Sequence, residues 1–479
     1  MFRVRGLTLM RFCFLKVCVI FRQLVGALWL LPLLPRVGEA EDLVGVDLVV
    51  GVGEVGKNMK KNYFYFLLCI LVLGVGGYFL SGILHGVAPV IKGPPDNIAD
   101  LIENASSTSS TPGKNSTDVP LTLPDNFEIS ILAKKLKGAR VLAVDKNGDV
   151  WVSRTSEGII SFVDLEKGKV VNQIDVFKNL KRPHGLIFDP KDEFSLYIAE
   201  EQKISKASFD FSPQVYQGKS DADKIRTYLQ AASQEVLQKV VDLPKGGRHF
   251  TRTLAWGGDG KLYVTIGSTC NVCEEKNPQN ATVMRVNMEE RKLEPVATGL
   301  RNAPFIALNP TTQELWVTEM GRDFLGDDTP PDEIDIIHEG KNYGWPICYG
   351  KNIHDSVFDT KKYIQDPCKD KEPSAIDLPA HSAPLGLTFI PKEGWPPEYQ
   401  SNLLVAYHGS FNRKEPTGYK IVRFDLQSGG KEENFVSGWL TEKNAALGRP
   451  VDVLAVPGGI LYVSDDKAGV VYKLKYISP

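Results

Sequence analysis

Six copies of one strand pair, each trailed by a more polar pair, predict an all-β fold: a six-bladed β-propeller preceded by an N-terminal transmembrane helix. The copies are VLAVDKNGDVWVSR (141–154), GLIFDPKDEFSLYIAE (185–200), TLAWGGDGKLYVTIG (253–267), IALNPTTQELWVTE (306–319), GLTFIPKEGWPPEYQSNLLVAY (386–407) and VDVLAVPGGILYVSD (451–465). Trp151, Tyr197, Tyr263, Trp316, Leu404 and Tyr462 hold equivalent places, at spacings of 46, 66, 53, 88 and 58 residues. The polar pairs open with strands such as GIISFVDL, ATVMRVNM and YKIVRFDL. Four strands per unit, repeated radially, leave only short sheet edges. Residues 125–135 (DNFEISILAKK) read as the strand that completes the last blade and closes the ring. A β-sandwich explains scattered repeats but not six in register. The long spacings mark insertions: 213–247, which reads as partly helical, and 320–385, rich in functional residue types.

Residues 63–84 (YFYFLLCILVLGVGGYFLSGIL) carry no charge and are long enough to cross a bilayer as a helix. Lys57, Lys60 and Lys61 precede the run and the next cation is Lys92. The positive-inside rule therefore leaves the N-terminus in the cytoplasm and the propeller outside it, periplasmic or extracellular. Residues 59–91 form the signal-anchor unit, with Met59-Lys60-Lys61 as a complete start. Residues 1–58 are then an upstream extension or a cytoplasmic segment, although 24–34 imitates a signal-peptide core. Residues 92–122, rich in Ser, Thr, Pro, Gly and Asn, read as a flexible linker, leaving 123–479 for the propeller.

Lys+Arg number 56 against 58 Asp+Glu in 479 residues, a net charge of −2. That balance argues against a nucleic-acid partner, which needs a basic surface to release counterions. Seven cysteines exclude a disulfide-dense scaffold, but an exported domain makes Cys270, Cys273, Cys348 and Cys368 disulfide candidates. Proximity in sequence pairs Cys270 with Cys273 and Cys348 with Cys368. Zinc is the rival at Cys270-x-x-Cys273, a weak one because no second CxxC or HxxxH follows.

Four of the seven histidines, His184, His249, His381 and His408, fall beside or just before inner strands, which line a propeller's channel. One such histidine is ordinarily a hydrogen-bonded structural side chain; four at like positions argue for convergence. Arg301-Asn302 and Arg449 precede the fourth and sixth inner strands, while Arg413 and Lys420 follow the fifth blade's second strand. Isolated arginines usually make surface ion pairs, but several aimed at one channel imply a polyanionic ligand. Segment 319–335 (EMGRDFLGDDTPPDEID) holds seven carboxylates in a loop broken by Gly and Pro. Like charges so close need a counter-cation, and irregular oxygen-rich loops suit Ca²⁺; a solvated acidic loop is the alternative.

Residues 125–479 resemble the glucose/sorbosone dehydrogenases, six-bladed quinoproteins, with motifs most like the L-sorbosone dehydrogenase branch. The resemblance is carried by RHFTRTLAWGGDGKLYVTIGSTCNVCEE (248–275), GLRNAPFIALNP (299–310), WVTEMGRDFLGDDTPPDEIDIIHEGKNYGWPICYG (316–350), HSAPLGLTF (381–389), HGSFNRKEPTGYKIVRF (408–424) and GRPVDVLAVPGGILYVSDDKAG (448–469). It implies the cofactor pyrroloquinoline quinone, a tricarboxylate, held with Ca²⁺. It implies His249 as general base, Arg301 and Asn302 on the quinone, and Arg449 and Asp466 elsewhere in the cofactor pocket. His184 and His381 are further pocket candidates, and a family lysine corresponds to Arg413 or Lys420. The carbonyls of Gly321 and Arg322 match a calcium-holding turn, with Asp332 and Glu333 as candidate ligands from the same acidic segment. Two positions depart from the soluble glucose enzymes: Arg248 stands where an Asp precedes the base, and Val451 replaces a second Arg.

The implied reaction is oxidation of a sugar C1 hydroxyl or aldehyde hydrate. His249 takes the proton, the quinone takes the hydride, and a quinone, cytochrome or other carrier serves as electron acceptor. Two competing expectations are a non-catalytic extracellular binding propeller and a calcium-dependent lactonase-like hydrolase. The first would lack the His or the Arg-Asn pair; the second needs carboxylates converging on the channel.

Overall fold

The computed structural model describes residues 113–192, 194–209 and 237–478. The apolar run 63–84, the upstream segment and most of the 213–247 insertion lie outside the described residues. Among the described residues no helix is long and apolar enough to cross a membrane.

Six antiparallel sheets follow one another along the chain. The first blade is Ala139–Val144, Val150–Arg154, Ile159–Glu166 and Lys169–Phe177, ordered from the axis outward. The inner strands of the next four start at Gly185–Phe188, Leu254–Trp256, Phe305–Leu308 and Pro384–Phe389. The sixth blade takes Pro450–Val456, Ile460–Asp465 and Val470–Tyr476 from the C-terminus and its outer strand, Phe127–Ala133, from the N-terminal side. Phe127 pairs with Tyr476 and Ile131 with Tyr472, so the two ends of the domain share one sheet.

The repeated second-strand position is the wedge between blades. Trp151, Tyr197, Tyr263, Trp316, Leu404 and Tyr462 are all buried. Trp151 lies 5.0 Å from Phe162 in its own blade and 5.4 Å from Phe209 in the next. Tyr197 meets Trp256 edge-on at 5.5 Å, and Trp316 meets Phe389 at 5.5 Å. A large flat side chain at a fixed height fills the widening gap between radial sheets, hence the period.

Near the axis the seams are polar. Thr155 donates to Pro183 O at 2.7 Å, Thr318 to Leu385 O at 2.7 Å, and Leu142 N to Asp452 at 2.8 Å. Thr253 donates to Pro304 O, and Ala455 N donates to Thr388 at 3.3 Å. Each bond crosses from one blade to a neighbour.

Two boundaries differ from the sequence reading. The 92–122 linker is shorter at its C-terminal end: Lys114–Asn115 adds a parallel strand to the sixth blade, and Val119 and Leu121 are buried. Those two apolar residues outweigh the polar composition around them. Leu237–Asp242, read as the end of a helical insertion, is instead the outer strand of the second blade, pairing with Lys203–Ser208. Val241 finds a core position there that a surface helix would not offer.

Ring closure makes a testable demand. Phe127 is 1% exposed and packs against the rings of Trp395, Tyr399, Phe435 and Tyr476 at 5.4–5.9 Å. Phe127→Ala should lower unfolding free energy by about 3–5 kcal/mol in urea titration. A loss below ~1 kcal/mol would mean that this strand does not close the ring.

Candidate active site

Segments leading into the inner strands emerge on one face, together with the ends of the second strands. There, residues 248–249 run beside 268–269: Arg248 N donates to Thr269 O at 2.9 Å and His249 N to Ser268 O at 3.3 Å. Buried Arg252 holds this segment from beneath, donating to His249 O at 3.0 Å and Thr251 O at 2.8 Å. Gly267 is required: a Cβ there would lie 2.6 Å from the His249 Cβ and 3.1 Å from Asn302 Oδ1.

His249 is half-buried, and its Nδ1 lies 2.8 Å from Ser268 Oγ. Ser268 N in turn donates to Arg301 O at 2.7 Å, so one residue bridges the imidazole and the Arg-Asn pair. Burial pushes the His249 pKa well below its ordinary value, and the charges of Arg301, Arg248 and Arg252 push it the same way. The ring is therefore neutral at pH 7, as a base must be.

Arg301 is buried and largely engaged by the protein. Nε donates to Asn271 O at 2.8 Å, Nη1 to Met320 O at 3.0 Å and Nη2 to Asn271 Oδ1 at 2.8 Å, with Asp323 at 3.6 Å. Two of its five N–H groups remain for a ligand. Asn302 Nδ2 lies 3.4 Å from Met320 Sδ.

A second polar cluster faces this one. Asp466 accepts from His408 Nε2 and Arg140 Nη1, each at 2.9 Å. Burial opposes the Asp466 charge, but His408, Arg140 and Arg449 outweigh it and hold the carboxyl below the usual range. Burial, then the Arg449 charge, takes His408 down to about 4. Arg449 donates to the carbonyls of His408 and Gly409 and lies over the Tyr419 ring at 5.5 Å. Beside this cluster opens a cleft of about 480 Å³, with Lys137, Arg140, Arg182 and Asp466 in its walls and Phe250 and Thr251 reaching it from the His249 segment.

Other candidates take different places. His184 is fully buried; its Nδ1 lies 3.1 Å from Thr253 Oγ1 and its ring meets Phe305 edge-on, so it belongs to the seam between blades. His381 Nε2 contacts Gly326 O at 2.8 Å, and Arg413 donates to Asp327 O at 2.6 Å and Asp328 at 2.7 Å. Both brace the acidic loop from the fifth blade. Lys420 points toward its own blade's outer strand, bonding Asn434 at 2.8 Å and Glu432 at 3.2 Å. Arg140, Ser268 and Asn271 are the site residues that sequence reasoning missed, whereas His408 was among the four channel histidines it singled out. Only Arg140 had a readable signal, as a cation at the start of an inner strand like Arg449.

The seven carboxylates of 319–335 do not share one cation. Asp323 accepts from Arg248 at 2.7 Å, and Asp328 pairs with Arg413. Asp332 accepts from Gly321 N at 2.9 Å, Ala383 N at 2.8 Å and Ser382 Oγ at 3.1 Å, so it braces the loop and is not free to ligate a metal. Strand alternation turns Glu333 to the other face, where it lies opposite Glu319 and Asp377, with Asp335 two residues on. Burial, then the Asp335 charge, raises Glu319 and Glu333 well above their ordinary pKa; burial takes Asp335 up to about 7. Both Asp335 oxygens and Glu319 Oε2 are buried without a hydrogen-bond partner. Glu319 and Glu333 line a cavity of about 20 Å³ with Gly321, Arg322, Tyr343 and Trp345, room for one small occupant. The carbonyls of Gly321 and Arg322 accept no hydrogen bond among the described residues. The oxygen donors suit a hard cation, while Arg301 and Arg322, which also line the cavity, oppose its charge.

Cys270 and Cys273 are joined (Sγ–Sγ 1.99 Å), as are Cys348 and Cys368 (2.04 Å). A zinc site at the first pair is thereby excluded, since its thiolates are consumed.

Fold and mouth together define a class: six-bladed propellers with a cationic axial cleft beside a neutral histidine. Residues 121–476 match the TrAA12-like family, and the chain belongs to it. An uncharacterised protein of Borreliella burgdorferi is 31% identical over 371 residues, covering 74% of this chain and 91% of that one. Quinoprotein glucose dehydrogenase B of Acinetobacter calcoaceticus is 26% identical over 277 residues, 49% of this chain but only 56% of that enzyme. Among solved structures, the holo pyrroloquinoline-quinone domain of Coprinopsis cinerea pyranose dehydrogenase shares the fold. It gives a TM-score of 0.60 at 18% identity, over 76% of this chain and 98% of that one.

The depressed imidazole can be titrated directly. His249 should remain neutral below its ordinary pKa of ~6.5 in histidine NMR, because protonation adds a charge beside three guanidiniums. Arg248→Ala removes one of them and should move the midpoint upward. A wild-type midpoint at or above ~6.5 would contradict this account.

Proposed function

We propose that the propeller is a quinoprotein oxidoreductase that oxidises a sugar or aldehyde, at an aldose C1 hydroxyl or aldehyde hydrate, with pyrroloquinoline quinone and Ca²⁺. The observation that carries the reading is His249: neutral, tethered through Nδ1, with no Nε2 partner among the described residues, and next in the chain to Phe250 and Thr251 in the wall of a cationic cleft. The names of the Acinetobacter and Coprinopsis relatives support it. So does the charge of the cleft, since Lys137, Arg140 and Arg182 suit a ligand bearing several carboxylates.

When bound, the quinone supplies an electrophilic carbonyl that accepts hydride. His249 Nε2 takes the hydroxyl proton. Three Arg301 donors are held by Asn271 and Met320, which fixes the guanidinium's orientation, and Phe250 and Thr251 form part of the cleft wall next to His249. Ca²⁺ would be held by Gly321 and Arg322 carbonyls and by Glu333, with Glu319 beside it. Read as an anchor from its sequence, 63–84 would leave the domain outside the cytoplasm, and the two disulfides are compatible with that compartment. The carboxylate row lies within the fourth blade's sheet and not on the axis, which favours this reading over a lactonase-like hydrolase.

Purified protein given pyrroloquinoline quinone and Ca²⁺ should reduce an artificial dye in the presence of an aldose or aldehyde. His249→Ala should lower kcat by at least about 10²-fold. No turnover on a broad sugar and aldehyde panel, with no absorbance change on quinone titration, would reject the proposal. A calcium chelator should lower Tm, and Glu333→Gln should remove the rise on adding Ca²⁺ back; an unchanged Tm would remove calcium from the account.

A further inference from the structure

We propose that the Cys270–Cys273 disulfide loop is the positioning element of this site, setting the tautomer of His249 through Ser268 and the orientation of Arg301 through Asn271. The inference rests on the reading of His249 as proton acceptor and adds what makes Nε2 the accepting atom.

Ser268 Oγ has one hydrogen and two neighbours, Cys270 O at 2.9 Å and His249 Nδ1 at 2.8 Å. A carbonyl only accepts, so the hydroxyl hydrogen goes to Cys270 O. Ser268 Oγ must then accept from His249, which puts the ring proton on Nδ1 and leaves the Nε2 lone pair free. If Cys270 O moved away, the hydroxyl could turn and donate to Nδ1, favouring a proton on Nε2. That tautomer is no base toward the cleft.

Asn271, inside the same loop, grips Arg301 twice, by its backbone O and its Oδ1. The same Oδ1 accepts from Asp323 N at 3.0 Å, and Asn271 Nδ2 donates to Asp323 O at 3.2 Å. A three-residue sequence separation thus holds acceptors for both functional side chains and pins the acidic loop.

An internal comparison says why a covalent clip is there. His184 forms the same relay, with Nδ1 on Thr253 Oγ1 and that hydroxyl donating to Pro304 O. Pro304 is packed within the ring, and the His184 Nε2 is sealed from solvent. The Cys270 carbonyl belongs to a half-exposed loop end, where local opening is easy. Closing so short a loop removes far less chain entropy than closing Cys348–Cys368, at a separation of 20. The bond therefore contributes geometry more than stability.

The test reads imidazole nitrogens by NMR in full-length protein carrying isotope-labelled histidine, with His249→Gln to assign the signal. Wild type should show Nδ1 protonated and Nε2 bare. Ser268→Ala should shift the population toward protonated Nε2, and Ser268→Thr should restore it. Cys270→Ser/Cys273→Ser should give a mixture, with circular dichroism checking the fold. Asn271→Ala should weaken quinone binding by absorbance about tenfold while leaving the tautomer unchanged. In turnover, Ser268→Ala should lower kcat with little change in KM. Protonated Nε2 in wild type, or a tautomer indifferent to both Ser268→Ala and the cysteine pair, overturns the proposal. The NMR readout needs neither quinone nor turnover: a dead wild type with the expected tautomers rejects the dehydrogenase and keeps the positioning role.

Discussion

The constraint on which the rest depends is the polar seam between inner strands. Each blade buries an aromatic or aliphatic wedge against the next, but such packing tolerates sliding. Hydrogen bonds from Thr155, Thr253 and Thr318 and to Thr388 and Asp452 do not, because a slip leaves a buried donor or acceptor unmatched. They fix the height of every blade relative to its neighbours. The link from His249 through Ser268 to Arg301 and the pair Arg140–Asp466 each cross from one blade to the next, and they form only because those heights are fixed.

Gathering cations at the mouth carries a cost in repulsion, and the protein offsets it locally. Arg301 and Arg449 each aim two donors at backbone carbonyls, which satisfy hydrogen bonds without cancelling charge. Asp323 supplies counter-charge between Arg248 and Arg301, and Asp466 supplies it to Arg140 and, at longer range, to Arg449. The acidic segment 319–335 thus serves two ends: its outer carboxylates balance arginines, and its strand carboxylates form the buried row beneath the Tyr343–Trp345 turn.

Period-bearing features were readable from sequence, and contact-bearing ones were not. Trp151 and its five counterparts announce the blades because one gap recurs six times, and Phe127–Ala133 was visible as the strand left over. Lys420 follows a blade's second strand, but sequence position does not say whether its side chain turns toward the axis or the rim; Glu432 and Asn434 draw it outward. Adjacent Asp332 and Glu333 look interchangeable in a string, yet strand alternation sends one to brace a loop and the other to the buried row. Ser268 and Asn271 are ordinary turn residues until folding places a histidine and an arginine against them. His184 and His249 look alike in sequence and form like relays; the sealing of one Nε2 separates them.

The same charges that ready the mouth for an anion also restrain His249. Burial and three guanidiniums depress its pKa, so the ring is neutral but weakly basic. Many enzymes set a histidine's basicity with an adjacent carboxylate. Here Ser268, being uncharged, fixes only the tautomer and leaves the basicity of the ring to burial and the surrounding guanidiniums.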